Sequence, residues 1–382
     1  MKIYYKAKQI FYQNELIFDQ YLIVDEGKFV GLSSDLPEDV ELVDYGEAII
    51  SPGFVETHIH GYDGSDVMDN DPNGLQTMAQ GLLRTGTTSW LPTTLTDSKE
   101  HLAAVCQTIA ENYQTINGAK IQGIFLEGPF FTEKYKGAQN LKYMGDPSIE
   151  ILNEWQAAAK GLVKKIAIAP ERQGVAEFVD AAVAQGIVVA LAHSDARLDQ
   201  AESAVDHGAS IFVHTFNGMR GLHHREPGMV GAALSLDQVY AEAISDGLHV
   251  HPAALKIIFK ARGPKEMILI TDAMRATGLG DGMSKLGEFE VEVKDGAARL
   301  VEGGNLAGSV LEMNQAIKNM LDWQICNLAE ALEMATLTPA KSVGIEHQCG
   351  IIAPERAADF VVLDDQMHVL ATYIDGRVVY QA

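Results

Sequence analysis

Residues 188–214 read VVALAHSDARLDQAESAVDHGASIFVH, two apolar runs that each close on a histidine, joined by a more polar stretch. A short run without polar alternation is a strand buried on both faces, and such strands alternating with amphipathic helices build a parallel sheet. The pattern continues in both directions: IQGIFLE (121–127) and MILITD (267–272) are runs of the same kind, each ending on a carboxylate. Eight strand-like runs end near His58, Pro92, Glu127, Pro170, His193, His214, Asp246 and Asp272. The crossover rule and the lack of long structureless loops favour closure into a (β/α)8 TIM-like barrel over an open sheet, which makes the chain α/β. Between the runs, Ser98 is placed to cap a helix carrying Leu102, Val105, Cys106 and Ile109 on one face, and the helix from Val175 is expected to stop at Gly186.

Outside this series the periodicity changes. Ile3 to Tyr5, Tyr21 to Val24 and Phe29 to Leu32 read as strands, as do Asp359 to Leu363, Val369 to Ile374 and Val378 to Tyr380, with Asp375-Gly376 as a hairpin turn. Each terminal β segment is too small to bury a face alone, so the two are expected to form one β-sandwich. The expected division is 1–53 with 348–382 as the sandwich and 54–347 as the barrel, with a β-hairpin insertion near 285–305 around Asp295-Gly296. A length of 382 residues accommodates a barrel of roughly 250 residues and a smaller unit beside it.

The formal charge of −23 disfavours nucleic acid as a partner, since that contact depends on clustered Lys and Arg, and no basic run exists. No stretch approaches the ~18 apolar residues of a membrane span, and the N-terminus lacks the apolar core of a signal peptide. Three cysteines without a C-x-x-C pair suggest neither a disulfide framework nor a thiolate metal site. A cytoplasmic protein is expected.

The polar residues that end the apolar runs lie where barrels place their active sites. His58 and His60 form an H-x-H pair, and the two-residue period of a strand turns both rings to one face. Taken alone, a surface histidine pair would explain them equally well. Glu127, followed by Gly128-Pro129, could accept from loop amides or an arginine; His193 and His214 could be core histidines. Jointly, these imidazoles and one carboxylate make a mixed nitrogen and oxygen site for one or two divalent metal ions, zinc or iron first and manganese or cobalt after them. Such a site brings the pKa of water down to roughly 7, which is hydrolytic chemistry. Asp272 stands where a general base and acid is needed, with a helix cap as its other reading, and His249 of ISDGLHVH where a donor to a carbonyl oxygen is needed.

The blocks SPGFVETHIHG (51–61), GTTSWLPT (86–93), LEGPF (126–130), LAHSDA (191–196), HTFNGM (214–219), REPGMVGA (225–232), DGLHV (246–250), TDAM (271–274) and LAGS (306–309) resemble the N-acetylglucosamine-6-phosphate deacetylases of the amidohydrolase superfamily. The likeness runs to the terminal strand ADFVVLD (358–364). It implies that Glu127, His193 and His214 bind the principal metal, that Asp272 is the general base and acid, and that His249 meets the substrate carbonyl. Some relatives lack the H-x-H pair and work with one metal, so His58 and His60 pose the question of a second ion. The resemblance further implies that Asn217 and Gly218 bind the sugar phosphate and that Arg225 reaches it from the neighbouring subunit of a homodimer, a geometry suited to a guanidinium. Gln139, where some members carry a histidine near the sugar, and Ala307 of the LAGS block complete the expected substrate contacts. The implied reaction is hydrolysis of the acetamide of N-acetyl-D-glucosamine 6-phosphate to D-glucosamine 6-phosphate and acetate, in amino-sugar catabolism. The rivals are an amidohydrolase of cyclic amides or of another N-acetyl sugar, and a sugar-phosphate sensor that has lost catalysis.

Overall fold

The computed structural model describes residues 2–382. Eight parallel strands, Phe54–Ile59, Thr87–Pro92, Ile124–Glu127, Val163–Ile168, Val188–Leu191, Ile211–Phe212, Tyr240–Ile244 and Met267–Ile270, form the barrel wall. Six of them pair in sequence order from the third to the eighth, and the first pairs with the second. Single parallel bridges, Thr93 to Phe125 and Ile59 to Ala273, join these two arcs into a ring. The wall is apolar because helices cover its outer face: Ile166, Val189, Leu191 and Phe212 pack against Phe178, Val179, Ala201 and Val230 in one continuous core. Ser98 accepts from the amide of His101 at 3.2 Å at the start of Lys99–Asn112, and the helix Val175–Ala184 ends just before Gly186 at φ +74°.

Both chain ends meet in a two-sheet β unit. One sheet uses only N-terminal strands, Ile3–Lys6, Tyr21–Asp25, Lys28–Ser33 and Glu41–Asp44. The other is composite: Ile49–Pro52 pairs antiparallel with Phe360–Leu363, which continues to Val369–Ile374 and Arg377–Gln381. Tyr5, Leu22 and Phe29 of the first sheet pack on Ile50, Phe360 and Tyr373 of the second, with Phe360 and Tyr373 stacked at 4.2 Å. Thus the strand that leads into the barrel is held by the strand that leaves it.

The insertion after the eighth barrel strand is larger than a hairpin. Gly282–Leu286 precedes Phe289–Lys294 and Ala297–Leu300 as a third antiparallel strand. Its sequence, GMSKL, buries only Leu286, so it carries no apolar alternation, and its ladder with Phe289–Lys294 makes it a strand.

Candidate metal centre and substrate cavity

The first barrel strand presents His58, and His60 follows one residue beyond its end; both rings are buried. Glu127 is the last residue of the third strand, and His193, His214 and Asp272 each stand two residues past theirs. The backbones of His193, His214 and Asp272 are left-handed, at φ +44°, +34° and +51°. Such conformations are uncommon outside glycine and persist where surrounding structure imposes them. Here they turn three polar side chains back over the barrel mouth.

Two donor groups result. Nε2 of His193 and His214 lie 3.2 Å apart, and Oε1 of Glu127 lies 3.4 and 3.1 Å from them. Nε2 of His58 and His60 lie 3.3 Å apart, with Oδ1 of Asp272 at 3.5 and 3.1 Å. The Glu127 carboxylate stands between the groups, its Oε1 3.5 Å from His58 and its Oε2 3.4 Å from His60. Ligands held tetrahedrally around zinc are separated by roughly 3.3–3.5 Å. The observed spacings fit that requirement in both groups, and imidazole nitrogen with carboxylate oxygen suits a borderline divalent ion.

The electrostatics agree with such an occupant. Burial alone would raise Glu127, but His58, His193, His214 and His60 reverse that and hold it well below the usual carboxylate range. Asp272 is also lowered, burial being outweighed by His58 and His60. His60 is raised well above an ordinary imidazole, against burial, by Asp272 and Glu127, while burial prevails at His58 and lowers it. The cluster therefore favours positive charge between its carboxylates, and a cation answers that demand without protons.

A cavity of about 280 Å³ opens above these groups, lined by His60, Glu127, His193, His214 and Asp272 below and by Leu95, Gln139, Asn217, Gly218, His249, Leu286, Asn305, Leu306 and Gly308 around its sides. Leu286 belongs to the inserted sheet, which leans on the mouth. A larger concavity, about 1160 Å³, is an open groove elsewhere, lined by Tyr113, Lys120 and Arg377 among others, and none of the residues of the two donor groups lines it.

The remaining expected contacts divide. Asn217 and Gly218 face the cavity, and Gly218, at φ +58°, passes so close that an added Cβ would lie 2.8 Å from His193 Nδ1. His249 faces it too, with Nδ1 2.6 Å from Oδ2 of Asp246. The Gln139 side chain is spoken for within the protein, between Glu127 and the amide of Thr96. Ala307 does not line the cavity; its side chain is buried and its amide donates to Ala298, while its neighbours Leu306 and Gly308 reach the wall. Arg225 is exposed and does not line the cavity of its own chain.

Three buried groups escaped the sequence reading. Lys165 on the fourth strand and Glu242 on the seventh are fully buried and paired, and the other Glu242 oxygen faces His58. Glu56, pushed up to about 8 by burial, accepts from the amides of His58 and Thr271 and so ties the first strand to the eighth. The available signal was a charge inside an otherwise apolar barrel strand, single in YAEAI and doubled in VKKIAI, where only Lys165 of the two lysines is fully buried. Asp246 marked a strand end in the sequence, but its hold on His249 was not evident.

Comparison with known proteins agrees with this geometry. Residues 49–379 match the model of the amidohydrolase family. The chain is 37% identical over 381 residues to N-acetylglucosamine-6-phosphate deacetylase of Vibrio furnissii, covering 99% of this chain and 95% of that protein. It is 36% identical over 373 residues to N-acetylgalactosamine-6-phosphate deacetylase of Escherichia coli O157:H7, covering 97% and 98%. A mutant of the Mycobacterium smegmatis N-acetyl-D-glucosamine-6-phosphate deacetylase, solved in complex with N-acetyl-D-glucosamine-6-phosphate, superposes with a TM-score of 0.94 at 30% identity, covering 100% of this chain and 99% of that one.

Proposed function

The chain belongs to the amidohydrolase family and, within it, to the N-acetylglucosamine-6-phosphate deacetylases, and from that membership we propose that it hydrolyses the acetamide of N-acetyl-D-glucosamine 6-phosphate to D-glucosamine 6-phosphate and acetate. The observation that carries this reading is the pair of donor groups, with the Glu127 carboxylate standing between them, beneath a cavity of about 280 Å³.

Glu127, His193 and His214 hold the principal ion in this reading, and His58 and His60 with Asp272 offer a place for a second. Zinc or ferrous iron suits these donors best, with manganese or cobalt as substitutes. A divalent ion there supplies Lewis acidity, which makes water a competent nucleophile near neutral pH. Asp272 takes the proton of the attacking water and delivers it to the departing amine. His249 donates to the carbonyl oxygen as charge develops on it. Because its Nδ1 faces the Asp246 carboxylate, donation from Nε2 requires the imidazolium. Leu95, Leu286 and Leu306 give the cavity an apolar rim suited to the acetyl group and to limiting water.

Asn217 and Gly218 meet the sugar phosphate, and Arg225 of the partner subunit completes its binding in a homodimer. The exposure of Arg225 away from its own cavity supports that arrangement. Gln139 lines the cavity with its amide committed to Glu127 and Thr96, and Ala307 acts behind the substrate surface in this reading. The three free cysteines suit the reducing cytoplasm, and no helix among the described residues is long and apolar enough to cross a membrane.

The similarity to the galactosamine enzyme, within one per cent of identity of the glucosamine one, favours a second reading in which the C4 epimer is also accepted. Acetate release from both phosphorylated sugars and from unphosphorylated N-acetylglucosamine, on protein of measured metal content, tests these statements. Equal turnover with and without the phosphate would overturn phosphate anchoring. Loss of phosphorylated-sugar turnover in Arg225→Ala, restored by mixing with Asp272→Asn chains, is expected of a shared site.

A further inference from the structure

A buried ion pair inside a barrel calls for an explanation, because desolvating two charges offsets most of their attraction and an apolar pair of similar volume serves stability as well. Lys165 and Glu242 are such a pair, both fully buried and hydrogen-bonded to each other. The lysine comes from Val163–Ile168 and the glutamate from Tyr240–Ile244, so the contact crosses the barrel interior. Lys165 Nζ also lies 3.8 Å from the ring centroid of Phe125, and that ring meets His58 edge-on at 5.0 Å.

Glu242 uses its two oxygens differently. Oε1 accepts from the Lys165 ammonium, and Oε2 lies 3.3 Å from Nδ1 of His58. The amide of His58 donates to Glu56 at 2.9 Å. An ionised carboxylate accepts only, so the hydrogen bond at Oε2 requires the proton of the neutral His58 ring on Nδ1. Nε2 is then left with its lone pair, and it is Nε2 that faces His60, Asp272 and Glu127.

We infer that Lys165 and Glu242 are positioning residues that fix the tautomer and ring orientation of His58, so that the H-x-H group is set to receive an ion before one arrives. The inference rests on the reading of His58 as a metal ligand. Lys165 has a definite part in it. An ammonium only donates, so it keeps one Glu242 oxygen to itself and presents the other to His58. Partners of this kind behind a ligating histidine set which nitrogen is free to bind.

Glu242→Gln tests this with nearly unchanged shape. The lysine would retain the amide oxygen of the new side chain and turn its NH2 toward Nδ1 of His58. Nδ1 would have to accept, and the ring proton would move to Nε2, the nitrogen meant for the ion. Adding Lys165→Met frees the amide to turn over and offer its oxygen, so the double variant should recover the original tautomer. Nitrogen NMR of metal-free protein labelled at histidine reads this directly, since protonated and unprotonated ring nitrogens resonate far apart; a His58→Asn spectrum identifies the signal.

The expected result is an Nδ1–H ring in the wild type, an Nε2–H ring in Glu242→Gln and return of the first form in the double variant. Zinc uptake by equilibrium dialysis should fall in Glu242→Gln by the share of the H-x-H group, about tenfold or more in affinity, and rise again in the double variant. An unchanged tautomer in folded Glu242→Gln, or a double variant no different from the single one, would overturn the proposal. Should Glu242→Gln not fold, the apolar pair Glu242→Leu with Lys165→Met decides it by the same spectrum: without an acceptor at Nδ1 the His58 ring should lose its Nδ1–H form, and an unchanged Nδ1–H ring would overturn the proposal. A wild type that releases no acetate would count against the deacetylase reading alone, because neither readout depends on turnover.

Discussion

Gln139 donates from Nε2 to Oε2 of Glu127 at 2.6 Å, and its own Oε1 accepts from the amide of Thr96 at 2.8 Å. A backbone amide cannot accept, so the Gln139 amide has one orientation, and its NH2 must face the carboxylate. Oε1 of Glu127 is thereby left to His193 and His214. Gln139→Leu is expected to remove a charge-assisted bond of about 1.5–3 kcal/mol and to weaken ion binding by roughly 10–100-fold. Metal affinity by competition with a chelator checks this, and a rise in KM with metal affinity intact would instead assign Gln139 to the sugar.

Asp272→Asn keeps the size of the side chain and removes its capacity to take a proton. Acetate release should fall by about 10² to 10⁴, while an ion remains at Glu127, His193 and His214. Metal analysis beside the assay separates the two effects, and near-normal turnover with metal retained would remove Asp272 from the mechanism.

Gly218→Ala brings two costs. The backbone is left-handed at φ +58°, and the new Cβ would stand 2.8 Å from Nδ1 of His193, which is 2.8 Å from the carbonyl of Tyr135. The expected loss is about 1–3 kcal/mol, with a melting temperature lower by a few degrees and weaker binding of the principal ion. Scanning calorimetry of the metal-loaded and metal-free variant measures both, and an unchanged profile would contradict the close approach.

Removal of metal should lower stability as well as abolish activity. A ligand present at 100 times its dissociation constant stabilises the folded state by about 2.7 kcal/mol. Dialysis against a chelator should therefore lower the melting temperature, and restored zinc should raise it again. His193→Asn should show less of this shift than wild type.

The pair Asp246 and His249 yields a pH prediction. Burial opposes the charge on Asp246, but the His249 ring and the amides of His249 and Leu248 prevail, so its folded-state pKa lies below its unfolded value of 3.8. A group depressed on folding contributes stability that is fully present above the unfolded value and is lost as pH falls through the folded one. The stability difference between wild type and Asp246→Asn, taken from urea midpoints, should be constant near neutrality and close as pH falls below about 4. A gap that widened on acidification would have the wrong sign.

Much of the fold was legible because burial on both faces leaves a direct mark. VVALAH and IFVHT have no room for polar alternation, and Ser98 and Gly186 punctuate their helices by local chemistry. The strand Gly282–Leu286 left no such mark, since one buried residue in five makes no pattern and only its partner strand defines it. Around the site, His58, His60, Glu127, His193, His214 and Asp272 could be singled out from position alone, as polar residues at the ends of apolar runs. Gln139 could not be assigned the same way, because a glutamine in a loop carries no sign of which way its amide will face.

The sequence by itself determined the order of strands and helices and the points at which polar side chains leave the barrel wall, since both follow from local periodicity and hydropathy. Only the tertiary structure decided which of those side chains meet. The 3.1–3.5 Å spacings of the two donor groups, the grip of Gln139 on Glu127 and the line from Lys165 through Glu242 to His58 join residues as far apart in the chain as His58 and Asp272. Such contacts depend on closure of the ring and on left-handed turns at His193, His214 and Asp272, and neither is a property of any short stretch of chain.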